Sequence, residues 1–241
     1  MSGYFQDVSE EEYRAFRNNR SEELRELVAG RFAAEAAVRA TAAGQEFDET
    51  AYRTRYVEQT PLGSIEMQIA FGPEGEYGRW LRGHDTVVKI NGIVFLHGGI
   101  SPEVASLGCE AVNETVRAEL GSTAAATDPD ALSNRETGPL WYRELALQDE
   151  TTFALQVDDI LRALDARAIV VGHTVAAGGR ITPRFGGRVF PIDTGMLGGP
   201  FWTSGRPSAL EIQGSRFTAI YADRREVILE GAAARDSGTT R

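Results

Sequence analysis

Apolar residues recur at helical spacing through the first third of the chain. Residues 9–43 open on Ser9-Glu10-Glu11-Glu12, where a serine side chain and a glutamate three residues on satisfy free amides reciprocally. Tyr13, Phe16, Leu24, Leu27, Val28 and Phe32 then form an irregular apolar face, with a break expected near Ser21. Gly44 ends this stretch. A second short helix is expected from about Asp48 to Val57, stopped by Thr60-Pro61. From Gly72 the pattern changes to glycines and β-branched runs. Thr86 to Ile90 and Ile93 to Leu96 flank Asn91-Gly92, a pair that supplies the positive φ angles of a tight hairpin. Ser101-Pro102 makes a cap and first-turn pair, and Val104, Leu107, Ala111, Val112 and Leu120 follow at helical spacing up to Gly121.

Residues 121–137 are small and polar and read as a surface loop, followed by the denser "GPLWYRELA". Phe153, Val157, Ile160, Leu161 and Leu164 mark another amphipathic helix, which leads straight into the apolar run Ala168 to Val171. The rest is strand-rich: "RITPRFGGRVFPID" turns at Gly186-Gly187, "ALEIQGSRFTAIYA" turns at Gly214-Ser215, and "EVILE" follows. Residues 231–241 read as a flexible tail. No internal repeat or low-complexity tract interrupts this order. The expectation is a mixed α/β domain over 1–230, mainly helical over 1–70 and mixed over 71–230.

Bulk properties narrow the function classes. At 241 residues the chain fits one large domain, or a domain with an accessory segment, and can bury a substantial core. With 42% hydrophobic and 25% charged residues it is ordinary for a globular protein, which excludes disorder. A net charge of −10 argues against nucleic acid, which requires a basic face. A small anionic group remains a possible ligand, because backbone amides and a few arginines make a positive site locally. The single cysteine, Cys109, excludes an internal disulfide and suits a reducing compartment. The acidic N-terminus lacks the parts of a secretory signal, and no apolar run approaches the roughly 20 residues of a membrane span. A cytoplasmic protein with no membrane partner is expected.

Two of the three histidines stand at the ends of apolar runs: His97 closes "IVFLHGG" and His173 follows "AIVVG". Gly98, Gly99 and Gly172 let the chain turn sharply and leave space beside each imidazole. Two readings stand. Each histidine satisfies backbone groups in a buried turn, or the pair holds one metal ion, since neutral imidazole is the commonest metal ligand. His84, in the polar "LRGHDT", reads as solvated surface.

"FLHGGISP", "GPLWYR", "VVGHT" and "IDTGM", in this order and with "YGRWLR" before "VVKIN", resemble the second half of a calcineurin-like metallophosphoesterase of the Shewanella-like phosphoprotein phosphatase group. The likeness runs from about Tyr4 to about Leu229. It implies an αββα sandwich, incomplete at its N-terminal side, with a helical N-terminal segment. It also implies two divalent transition metal ions (Mn, Fe or Zn) in the complete enzyme, bridged by a hydroxide that attacks a phosphomonoester of a phosphorylated protein or a small molecule. By this resemblance His97 and His173 are ligands of one metal, and Arg143 clamps the phosphate through its guanidinium fork. The alternative for Arg143 is a surface ion pair, with Trp141 and Tyr142 in the core. Asp193 either orients a metal ligand from behind or makes a structural turn.

The family's three upstream segments, Gly-Asp-x-His, Gly-Asp-x-x-Asp-Arg-Gly and Gly-Asn-His-Glu, are absent from this sequence, and no catalytic acid is identified in it. The expectation is a C-terminal portion of a serine/threonine or tyrosine phosphoprotein phosphatase, by itself inactive, from a gene whose start lies further upstream. The alternative is a non-catalytic remnant or binding module that has lost the dimetal centre.

Overall fold

The computed structural model describes residues 8–122, 124–199 and 202–231. It divides at Gly83 into two compact units. The first is helical: α1 (Glu10–Arg14), α2 (Ser21–Ala42), α3 (Glu49–Gln59), α4 (Ser64–Phe71) and α5 (Glu76–Arg82). The reciprocal cap at Ser9 is present, with the Glu12 amide on Ser9 Oγ at 3.3 Å and the Ser9 amide on Glu12 Oε2 at 2.7 Å. The chain breaks between α1 and α2 where the apolar face is irregular. Asp48 caps α3 by accepting from the Ala51 amide at 2.9 Å.

The helices α4 and α5 lie outside the sequence reading, so the helical part runs on to Arg82, past the boundary placed at residue 70. Glycines there look like strand or loop punctuation, yet they serve close packing. A Cβ on Gly75 would come within 2.2 Å of the Ala70 carbonyl oxygen, and one on Gly78 within 2.0 Å of the Gly72 oxygen. Only glycine admits these approaches.

The second unit begins with the hairpin β1 (Val87–Ile90) and β2 (Ile93–Leu96), turned by Asn91 and Gly92 at φ 50° and 72°. The helix expected over 101–121 is two helices, α6 (Pro102–Ala105) and α7 (Cys109–Leu120), because Gly108 breaks it at φ 81°. Helices α8 (Glu144–Leu147) and α9 (Glu150–Ala163) lead to β3 (Ala168–Val171), followed by β4 (Val189–Pro191), β5 (Ser208–Gln213), β6 (Arg216–Tyr221) and β7 (Arg225–Glu230).

Strands β1 to β4 form one sheet in chain order, with β1 antiparallel to β2 and the pairs β2·β3 and β3·β4 parallel. Strands β5 to β7 form a second, antiparallel sheet. The period-2 alternation of side chains divides the first sheet's residues between two cores. Val94, Leu96, Ile169 and Val171 pack with residues of α6, α7 and α9, among them Val104, Val112, Val157 and Ile160. Ile93, Ala168, Val170 and Phe190 pack against Phe217, Leu210 and Ile212 of the second sheet. Phe190 and Phe217 stack with ring centroids 4.2 Å apart and planes 7° from parallel. Strand β3 is buried along its whole length, which explains its unbroken apolar run. This is a helix layer on two stacked sheets, three layers of the expected sandwich. The proposed tail lies outside the described residues from 232 onward.

Candidate metal and phosphate site

Parallel pairing brings the two histidines together. Leu96 and Val171 are register partners at the ends of β2 and β3, so the chain leaves both strands at the same edge of the sheet. Gly172 extends the ladder by one bond, its amide donating to the His97 carbonyl oxygen at 2.8 Å. His173 then sits at φ 62°, and the Thr174 amide donates back to the Gly172 oxygen at 2.6 Å. A non-glycine residue centred in so tight a turn costs about 1–3 kcal/mol, which the neighbouring structure must offset.

The result is that His97 Nε2 lies 3.2 Å from His173 Nδ1. Two imidazole nitrogens each about 2.1 Å from one ion at a near-tetrahedral angle are separated by roughly 3.4 Å. The observed spacing therefore fits two ligands of a single ion. His97 is exposed, whereas His173 is partly covered and its Nε2 is buried without a hydrogen-bond partner among the described residues. Burial pushes the His173 imidazole below its ordinary pKa, the Arg143 and His97 charges add to this, and Asp193 opposes it. A neutral imidazole is the form that ligates metal. Among the described residues no group of three or more His, Cys, Asp or Glu side chains converges as a metal site. The pair thus offers two ligands of a larger shell.

The glycines after His97 are there for close backbone approach. Both the Gly98 and Gly99 amides donate to the Pro139 oxygen, at 2.9 and 3.3 Å. A Cβ on Gly98 would lie 2.7 Å from the Leu140 carbonyl, and one on Gly99 equally close to the Tyr142 oxygen. This contact docks the His97 loop directly onto "GPLWYR". The Glu119 carboxylate fixes the start of that loop by accepting from the Leu132 and Ser133 amides at 2.9 and 2.7 Å.

Of the three residues Trp141, Tyr142 and Arg143, only Tyr142 is buried, and burial together with the Glu144 charge pushes its phenol up to about 12. Trp141 is 49% exposed, tied by Nε1 to the Ser133 oxygen at 2.9 Å, and stands edge-on to the His173 ring at 5.4 Å and 85°. Among the described residues Arg143 makes no ion pair. Its Nη1 donates to the His173 carbonyl oxygen at 3.1 Å and to Thr174 Oγ1 at 3.2 Å. Three other arginines of this part of the chain are engaged with carboxylates: Arg180 with Glu226, Arg184 with Glu150, and Arg188 with Asp158. Asp193 Oδ1 accepts from the Gly195 amide at 2.9 Å in a turn, its carbonyl oxygen accepts from the Ala176 amide at 2.7 Å, and its charge also acts on the His173 ring, so both readings of this residue stand. His84 is exposed.

The sequence reading did not single out Thr174 or the edge contact of Trp141. The only sign of the first was the Thr of "VVGHT", and the second depends on how the loop docks.

No protein-family model matches the chain. It is 28% identical over 153 residues to Shewanella-like protein phosphatase 1 of Plasmodium berghei (strain Anka), covering 61% of this chain and 42% of that protein. It is 27% identical over 149 residues to Shewanella-like protein phosphatase 2 of Arabidopsis thaliana, covering 60% and 37%. In structure it is similar to the cold-active protein-tyrosine phosphatase of a psychrophilic Shewanella species, with a TM-score of 0.57 and 26% identity over 76% of this chain and 53% of the other. The chain has the mixed α/β fold of metallophosphoesterase-type phosphatases. Within that class its likeness is to the Shewanella-like phosphatase group, as the four motifs imply. It spans about two-fifths of the length of the curated relatives it matches.

Proposed function

We propose that this chain carries the phosphate-clamping side and one histidine pair of a divalent-metal-dependent phosphoesterase, acting on serine/threonine or tyrosine phosphomonoesters of proteins. The observation that carries this reading is the placement of Arg143. Among the described residues it pairs with no carboxylate, and it is bonded to the very residue whose imidazole faces His97. Both bonds leave from Nη1, so among the described residues Nε and Nη2 are not engaged, and a guanidinium edge matches two phosphate oxygens.

His97 Nε2 and His173 Nδ1 would hold the ion. When bound, a divalent ion supplies Lewis-acid polarisation of the phosphoryl group and lowers the pKa of water. Trp141 packs edge-on to the His173 ring, and the Gly172 ladder bond fixes the backbone on which that ring stands. Arg143 binds and orients the phosphoryl group and stabilises negative charge that grows on its oxygens.

The test uses the 241-residue chain and a longer protein in which the three upstream segments of a Shewanella-like relative are joined to it. The chain alone is expected to bind Mn²⁺ and to hydrolyse an aryl phosphate scarcely above background, and the joined protein to gain Mn²⁺-dependent turnover that His173→Ala abolishes. A joined, folded protein that binds Mn²⁺ and turns over no phosphomonoester would overturn the enzymatic reading in favour of a binding module.

A further inference from the structure

Both segments that carry the site continue into a second feature. One turn beyond Arg143, the amides of Ala146 and Leu147 bond to its carbonyl oxygen at 2.9 and 3.1 Å, so α8 grows directly out of the arginine. Past His173 the chain runs through Thr174 to Ala177. Between these two segments lies a pocket of about 380 Å³, walled by Ala146, Leu147, Val175, Ala176, Ala177 and Pro191. That volume lies within the range of about 300–1,000 Å³ usual for ligand pockets. Thr174 belongs both to this pocket and to the hydrogen bonds of Arg143.

The chemistry of the occupant follows from its walls. The two arginines that line the pocket are already compensated: Arg180 pairs with Glu226 at 2.8 Å, and Arg184 bonds Glu150 at 3.4 Å together with the carbonyl oxygens of Leu145 and Gln148. An acidic ligand would have to displace these partners. Glu150, which is bonded to Arg184, and the hydroxyls of Thr174 and Thr182 also line the pocket; the rest of the wall is aliphatic, and Leu147 is 63% exposed. An apolar group gains by covering it.

We infer that this pocket receives an aliphatic side chain of the substrate protein, one or two residues from the phosphorylated residue held by Arg143. The inference rests on the phosphoprotein reading above and deepens it. Thr174 lines the pocket and accepts a hydrogen bond from Arg143 Nη1 at 3.2 Å, so the guanidinium stands beside the pocket. An extended peptide advances about 3.4 Å per residue, so a side chain one or two residues from a phosphate on Arg143 meets it. A small phosphomonoester would leave the pocket empty, so the site as a whole selects a phosphorylated segment of protein.

The experiment measures binding of fluorescent peptides bearing a non-hydrolysable phosphonate to the full chain with Mn²⁺ present. The peptides carry Leu, Ala or Asp at each position within two residues of the phosphonate. Leu at one position is expected to bind about 10-fold tighter than Ala, the scale set by a few methylenes in an apolar pocket, and Asp weaker than either. Leu147→Ala should erase the Leu preference, and Leu147→Asp should erase it as well. Equal affinity for the Leu and Ala peptides at every position, with binding still lost in Arg143→Ala, would overturn the pocket and leave the phosphate reading standing. No measurable binding of any peptide or of inorganic phosphate would overturn both.

Discussion

Arg143 holds the carbonyl oxygen of His173 at 3.1 Å. The side chain proposed to clamp phosphate thus also props the backbone of the residue proposed to ligate metal. In a protein completed by the upstream segments, Arg143→Ala is expected to lower kcat/KM by about 10²-fold to 10³-fold, the usual consequence of losing one preorganised donor to developing charge. Metal affinity should fall by less, because the ladder bond from Gly172 to His97 persists. Arg143→Lys should restore part of the rate, since an ammonium keeps the charge but not the two-pronged edge. Steady-state kinetics beside Mn²⁺ titrations check the split; an unchanged kcat/KM in Arg143→Ala removes the clamp.

The spacing of His97 and His173 sets a second expectation. Two imidazoles 3.2 Å apart offer two ligands, whereas lasting sites use three or four. The isolated chain should therefore bind one divalent transition ion weakly, and either His97→Ala or His173→Ala should abolish the calorimetric signal. Trp141 stands edge-on to His173, so its fluorescence should change on titration with Co²⁺ or Ni²⁺. A signal that survives His173→Ala would place the ion elsewhere.

The strands and their histidines were legible because local chemistry decides them. Asn91-Gly92 specified the hairpin, the unbroken apolar run of β3 marked a strand buried on both faces, and the parallel neighbours then delivered both rings to one edge. The helices α4 and α5 were not legible, since Gly72, Gly75 and Gly78 signal breaks locally and earn their place only through carbonyls they approach in space. The Asp193 turn was one of two open readings, because a carboxylate after a strand caps a turn or supports a ligand equally well in sequence. Arg143 was separable from Arg180, Arg184 and Arg188 only once their carboxylate partners were located.

The lowered pKa of His173 gives a pH dependence with a definite sign. Burial is the main cause, followed by the Arg143 and His97 charges. The folded state therefore prefers the neutral ring. Its contribution to stability is fully present above the unfolded imidazole pKa of about 6.5 and is lost as pH falls from there through the lower folded value. In the metal-free chain, the His173 ring resonances should titrate below the ordinary imidazole value of about 6.5. Arg143→Gln should move the His173 midpoint upward and Asp193→Asn should move it downward. A His173 midpoint above about 6.5 would contradict the burial argument.

The docking of the His97 loop on "GPLWYR" predicts an effect of adding one methyl group. Alanine at position 98 places its Cβ 2.7 Å from the Leu140 carbonyl carbon and oxygen, and alanine at 99 places one 2.7 Å from the Tyr142 oxygen. These neighbours are backbone atoms, so neither clash is relieved by a change of rotamer. To separate, the loops must break the bonds from the Gly98 and Gly99 amides to the Pro139 oxygen. Gly98→Ala and Gly99→Ala should each destabilise the chain by about 1–3 kcal/mol, the usual cost of overpacking, which lowers Tm by roughly 2–4 °C per kcal/mol at this size. Because His97 adjoins the displaced backbone, both should also weaken Mn²⁺ binding beyond what their Tm loss explains. Gly121→Ala is the control, at φ −90° with its Cβ no closer than 3.4 Å to any atom, and it should leave both readouts nearly unchanged. If Gly98→Ala matches Gly121→Ala in Tm and in metal affinity, the contact between these two loops does not hold the site together.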